Sequence, residues 1–236
     1  MKRGGSGSLV VLGASETVHW VSLAVMHSLR AWGCRVTGLM PLARDAQWQG
    51  RQWRSARVEQ LKEASSIAFP VPALCGVPQP HAADVLLPEL FIEAVVDSYA
   101  VLSTWADVVV VDGVGPPQEP LAPGLNMVGV AQALNLPVLI ACDNSEEGLT
   151  ASCELVRHLR DLNLRLLGWV QAGQRRLPCS AGIECMGAVP ESDLEQPQRA
   201  FRYIDAPGLM AALGLRQELL TGSGIANARK TWGQLH

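Results

Sequence analysis

Lysine is nearly absent from this chain. Only Lys2, Lys62 and Lys230 occur in 236 residues, and none lies in a glycine-rich stretch. Positive charge is therefore carried almost wholly by arginine, and the net charge is −3. That balance leaves no basic footprint for nucleic acid or for an anionic membrane surface. The six cysteines, Cys34, Cys75, Cys142, Cys153, Cys179 and Cys185, include no Cys-x-x-Cys pair. A structural zinc site is thereby disfavoured, and reduced thiols are expected rather than a disulfide framework. No apolar run reaches the ~18 residues needed to span a bilayer. The opening residues, Met1-Lys2-Arg3 and then Gly4-Gly5-Ser6-Gly7-Ser8, do not read as a signal peptide. The expected compartment is the cytoplasm.

What the chain does have is apolar residues, 48% of the total, with charged residues at 17%. Such a composition fits a soluble globular chain with much buried surface. Residues 1–8 read as a flexible start, 9–220 as one α/β domain and 221–236 as a tail. The first strand, Leu9–Leu12, is short and wholly apolar, as buried parallel strands are. A helix follows over Val18–Ala31. Further strands are expected at Arg35–Leu39, Asp107–Asp112, Pro137–Cys142, Leu164–Val170 and Glu184–Val189. Helices are expected at Ala56–Ala64, Pro88–Thr104, Asn126–Leu134, Gly148–Arg160 and Ala206–Leu213. The prolines of Phe69–Pro80 suggest an extended loop there. Alternation of this kind predicts a doubly wound, mainly parallel sheet with helices on both faces, and ligands at the carboxyl ends of its strands.

The first turn, Gly13 to Val21, has the layout of a phosphate-binding loop. In such a loop, backbone N–H groups and a helix N-terminus cradle a polyphosphate, and the closing Gly-Lys-[Ser/Thr] supplies a cation and a magnesium-binding hydroxyl. Here the closing residues are His19-Trp20-Val21.

Several stretches together resemble dethiobiotin synthetase, whose fold is related to the partitioning and cobyric-acid ATPases. That family's first loop reads Gly-Thr-Asp-Thr-x-Val-Gly-Lys-Thr, and Gly13-Ala14-Ser15-Glu16-Thr17-Val18-His19-Trp20-Val21 sits on it without a gap. Its Lys-Pro-Val becomes Met40-Pro41-Leu42, and its Ser-Pro-His becomes Gln79-Pro80-His81. Its Glu-Gly-Ala-Gly-Gly becomes Asp112-Gly113-Val114-Gly115-Pro116. Leu136-Pro137-Val138, Gly168-Trp169-Val170 and Gly187-Ala188-Val189-Pro190 fit further landmarks. The resemblance spans roughly Leu9 to Leu213. It implies a homodimer and an enzyme that closes a cyclic urea from 7,8-diaminopelargonate, carbon dioxide and ATP with magnesium.

Position by position, the resemblance also implies losses. Trp20 stands where the loop lysine would be, Val21 where the magnesium hydroxyl would be, and His19 at the second glycine. Met40 and Ser145 replace two further lysines, Ala56 is nearest to a metal aspartate, and Ala172 replaces an adenine-reading asparagine. Glu16, Asp112, Asp143, Glu146 and Glu147 remain at the strand ends, opposed only by Arg44, Arg175 or Arg176. Arg44 is the candidate substitute cation.

Each residue carries two readings. His19 is a general base or cation substitute, or a partly exposed histidine at a helix entry. Trp20 stacks on a ring or fills the nucleotide's space. Asp112 holds magnesium or forms an Asp-Gly turn. Pro80 and His81, with Gly113 and Gly115, touch substrate, or His81 merely opens a helix. Asp143, Glu146 and Glu147 bind a cation or form a solvated acidic loop. Trp48 and Trp53, among Arg44, Arg51, Arg54 and Arg57, clamp a partner or form a surface flap. The favoured expectation is a homologue of the synthetase that has lost ordinary use of ATP and acts by binding a small molecule or a protein. An active, divergent synthetase using ATP and magnesium is the second expectation. The third is an accessory scaffold protein related to the partitioning ATPases.

Overall fold

The first strand of the computed structural model, β1 (Leu9–Gly13), is buried at every position and lies mid-sheet. Residues 7–13, 17–78, 87–173 and 182–215 are described. After β1 come α1 (Thr17–Ala31), β2 (Val36–Ala43), β3 (Gln47–Gln49), β4 (Gln52–Arg54) and α2 (Ala56–Ala64). A 3-10 turn, Val71–Leu74, leads into β5 (Cys75–Pro78), α3 (Pro88–Trp105), β6 (Val108–Asp112), α4 (Met127–Leu134) and β7 (Val138–Asp143). The chain continues through α5 (Glu146–Asp161), β8 (Leu166–Ala172) and β9 (Cys185–Val189) to three short helices: α6 (Glu191–Leu194), α7 (Pro197–Ala200) and α8 (Ala206–Ala212).

Seven strands form one sheet in the order β5-β2-β6-β1-β7-β8-β9, and every pairing is parallel. This is the doubly wound sheet that the alternation of elements predicts. Register places Val11 of β1 beside Asp112 of β6, and Gly13 beside Ala141 of β7. The carboxyl ends of these three central strands therefore open on one edge.

Helix α1 is apolar almost all round, so it is buried on nearly all sides, from Val18 to Leu29. It lies between the sheet and the α2, α7 and α8 elements. Its end is a glycine-based stop. Gly33 takes φ +87°, and the Cys34 N–H reaches back to the Leu29 carbonyl at 3.1 Å.

Several boundaries differ from expectation. The proline-rich stretch contains β5, an edge strand that pairs with β2 through Met40–Cys75 and Leu42–Val77. Proline is tolerated at such an edge, and β5 stops at Pro78. The same pairing carries β2 on to Ala43, past Leu39. Helix α5 starts at Glu146 rather than Gly148, because Ser145 caps it by accepting the Gly148 N–H at 2.9 Å. The flap around the two tryptophans is a hairpin in which Trp48 faces Trp53 across β3 and β4. No helix among the described residues is long and apolar enough to cross a membrane.

Candidate functional site

The start of α1, the end of β6 and α2 bring four polar side chains into one largely buried cluster. Asp112 ends β6 and has no solvent exposure. One carboxylate oxygen accepts the Ser22 hydroxyl of α1 at 2.7 Å, and the other meets His19 Nδ1 at 2.6 Å. His19 Nε2 lies 2.7 Å from Gln60 Oε1 on α2. The Ser22 hydroxyl also lies 2.9 Å from the Val18 carbonyl one turn back. Asp112 is thus a strand residue held by two partners, and not the turn-forming Asp-Gly of one reading.

His19 is buried, against the expectation of partial exposure, because α2 folds back over the first turn of α1. Both its ring nitrogens face acceptors, an arrangement that only the doubly protonated ring satisfies in full. The Gln60 amide turned over would instead donate to a neutral ring. Burial pushes the His19 pKa down. The Asp112 charge, the bonds to Asp112 and Gln60 and the more distant Asp45 charge outweigh it, so the ring titrates above the ordinary histidine value.

Asp45 is a residue that sequence reasoning passed over while seeking an aspartate near Ala56. It accepts the Ser55 hydroxyl at 2.6 Å and the Arg57 N–H at 3.2 Å, and so braces the start of α2. Ser55 in turn caps α2 through the Val58 N–H. Gln60 and Ser22 were missed as well. The helix over residues 56–64 was legible, but nothing local to Gln60 points to a histidine 41 positions earlier.

Around this cluster the fit is tight. A Cβ on Gly13 would overlap the Ala141 carbonyl oxygen and come within 2.9 Å of a Val18 methyl. One on Gly113 would overlap the Val11 carbonyl oxygen and approach the other Val18 methyl at 3.0 Å. Both glycines therefore let Val18 wedge between the ends of β1 and β6. Trp20 is half-buried against the core, with its ring centroid 5.6 Å from that of His19 and tilted by 58°. Val21 is fully buried and offers only carbon.

Toward β7 the groups are more open. Thr17 donates to Asp143, and Gln171 donates to Asn144 at 3.0 Å. Ser145 serves as the α5 cap, Glu146 and Glu147 form the exposed first turn of that helix, and Ala172 ends β8 in a buried position. Arg44 is committed to Glu119 and, at 3.2 Å, to the Pro120 carbonyl. This pair sits over Gly115, whose φ of +65° suits glycine. Trp53 packs on the core while Trp48 is exposed, so the hairpin presents one of its two rings. A cavity of about 580 Å³ opens between Trp53, α2 and Pro70–Pro72, away from the loop residues. Glu16, Pro80, His81, Arg175 and Arg176 lie outside the described residues. Among the described residues no three His, Cys, Asp or Glu side chains gather as a metal site.

Comparison with known proteins agrees with this architecture. No family model matches the chain. The ATP-dependent dethiobiotin synthetase BioD of Xanthomonas euvesicatoria pv. vesicatoria (strain 85-10) is 31% identical over 166 residues, covering 63% of this chain and 69% of that protein. The enzyme of the same name from Xanthomonas axonopodis pv. citri (strain 306) is 31% identical over 162 residues, with the same coverage. Among solved structures, the MinC:MinD cell division complex of Aquifex aeolicus aligns with a TM-score of 0.53 at 12% identity, covering 88% of this chain and 93% of that one. The MinD–Mg-ADP structure of Pyrococcus horikoshii OT3 aligns at 0.50 and 12%, covering 97% and 95%. These structural likenesses carry the fold, that of P-loop ATPases. Sequence identity carries the family: the chain belongs to the dethiobiotin synthetases.

Proposed function

We propose that this protein keeps the dethiobiotin synthetase fold and dimer but has given up ATP-dependent ring closure. It acts instead as a binding or regulatory homologue linked to biotin-type metabolism. The observation that carries this reading is the closed His19–Asp112–Ser22 cluster. In P-loop enzymes the carboxylate ending the strand next to the loop strand helps to hold magnesium, together with the loop hydroxyl. Here both carboxylate oxygens already have partners inside the protein. The hydroxyl position is Val21, which cannot ligate a hard cation. The residues present therefore do not fit ATP with magnesium.

Electrostatics points the same way. The transferred phosphoryl group needs cations where charge gathers, and removing one such donor commonly costs a hundredfold or more in rate. Trp20, Met40 and Ser145 supply none, and Arg44 is spent on Glu119. Isothermal titration with ATP–magnesium is the test, with one of the Xanthomonas enzymes as positive control. No binding is expected below millimolar nucleotide, and no turnover of diaminopelargonate with bicarbonate. Micromolar affinity would overturn the reading and favour an active, divergent synthetase.

A further inference from the structure

The cavity of about 580 Å³ beside the tryptophan hairpin has two unlike walls. One is apolar: the half-buried Trp53 ring, which packs on the core, with Pro70, Val71 and Pro72. Pro70 and Pro72 have no N–H, so they offer a ligand flat rings and no donor. The other wall is charged and comes from α2. A cavity of this size falls within the range of pockets that hold small organic molecules.

Of the chain's three lysines only Lys62 lies among the described residues, and it lines this cavity. Glu59 and Glu63 line it too, and the three share an arc of roughly 100° on α2. Val58, Leu61 and Ala64 turn to the core instead. Gln60, which reaches His19, lies about 110° round from the middle of that arc. The cavity and the buried cluster therefore use different sides of one helix. Glu59 is taken by Arg54 at 3.1 Å. Lys62 and Glu63 have no ion pair among the described residues.

We infer that this cavity binds an α-amino acid with a large apolar side chain. The side chain lies against Trp53 and the two prolines, the carboxylate meets Lys62 and the ammonium meets Glu63. A plain carboxylate would gain Lys62 but face Glu63, and a plain amine would do the reverse. An α-amino acid carries both charges on one carbon, and Lys62 and Glu63 are neighbours in the chain, so one ligand reaches both. With Arg54 and Glu59 included, the lining holds two charges of each sign, which suits a ligand of no net charge. Flat faces of indole and pyrrolidine favour an aromatic side chain in particular. The site goes beyond the loss of ATP use and does not depend on it.

Titration of the full chain with L-phenylalanine is the test, followed through the Trp53 indole N–H signal by NMR. Loss of that signal in Trp53→Phe assigns it. The signal should move with a dissociation constant of about 1 mM or below. Hydrocinnamate, which lacks the ammonium, and phenethylamine, which lacks the carboxylate, should each bind about three- to fivefold more weakly. L-Serine keeps both charges but has no apolar body, and should leave the signal in place. Lys62→Met should weaken phenylalanine by about three- to fivefold and spare phenethylamine. Glu63→Gln should weaken phenylalanine and spare hydrocinnamate. Both positions are exposed, so the fold survives either change. A Trp53 signal unmoved at about 10 mM phenylalanine would overturn the site. So would hydrocinnamate or serine binding as tightly as phenylalanine, or wild-type affinity in both variants. No nucleotide takes part, so failure here says nothing of the loop.

Discussion

At the ends of β1 and β6, buried polar groups close on one another. At the ends of β7 and β8, on the other side of β1, they meet in part-buried pairs. Asp112 has no exposed surface and two partners from α1. Asp143, by contrast, is half-buried and shares its edge with Asn144 and the exposed first turn of α5. The same residue type at equivalent strand ends is thus structural in one place and accessible in the other. The difference lies in what packs above. Helix α2 covers the first turn of α1, whereas no comparable described helix covers the start of α5.

The sharpest way to break this contrast is to remove each aspartate in turn. Asp112→Ala leaves a buried imidazole and a hydroxyl without their acceptor. Breaking a buried pair from one side costs about 3–5 kcal/mol, so urea unfolding should show a loss in that range. Asp143→Ala removes a hydrogen bond from a partly wet site and should cost about 1 kcal/mol. Equal losses would mean that the two strand ends are not different in kind.

A smaller effect separates the two regions by pH. His19 has a folded pKa above its ordinary value. Its pairing therefore contributes stability that is fully present below the unfolded pKa of about 6.5 and is lost as pH rises through the folded value. Subtracting the unfolding free energy of His19→Asn from that of the wild type should leave a curve that declines over that window. Its slope should not exceed about 1.4 kcal/mol per pH unit, the limit for one proton. His27 shifts the opposite way, through burial and the Arg30 charge, but cancels because both proteins carry it. A level difference curve would place no titrating cation in the cluster.

The parts of this molecule visible in its sequence are those set by local chemistry. Val108–Val111 announces a central strand because four β-branched residues in a row fit a sheet buried on both faces. Ala56–Ala64 starts where its Ser55 cap dictates. The empty cation positions at Trp20, Met40 and Ser145 are equally plain once the chain is laid on the family pattern. Hidden from the sequence was how the chain compensates. His19 meets Asp112 across 93 positions and Gln60 across 41, contacts that depend on sheet order and on the angle at which α2 returns. Burial of His19 follows from that return and from nothing beside it in the chain. Arg44 is hidden in the same way: the sequence offers it as a substitute cation, while its partner Glu119 lies 75 residues on.

The weakest effect concerns that last pair, which lies beyond the closed cluster, on the β2 side of β6. Arg44 and Glu119 both keep more than a third of their side chains exposed, so solvent screens their attraction. Arg44→Ala should shift unfolding by roughly 0.5 kcal/mol or less. If the closed half leaves no cradle for a polyphosphate, the same variant should also leave the heat of ATP–magnesium titration unchanged. The guanidinium would then be a brace for the loop over Gly115, tying β2 to the segment after β6. A measurable nucleotide affinity in the wild type that disappears with Arg44 would instead make it the replacement cation and would move the open half's boundary across to β2.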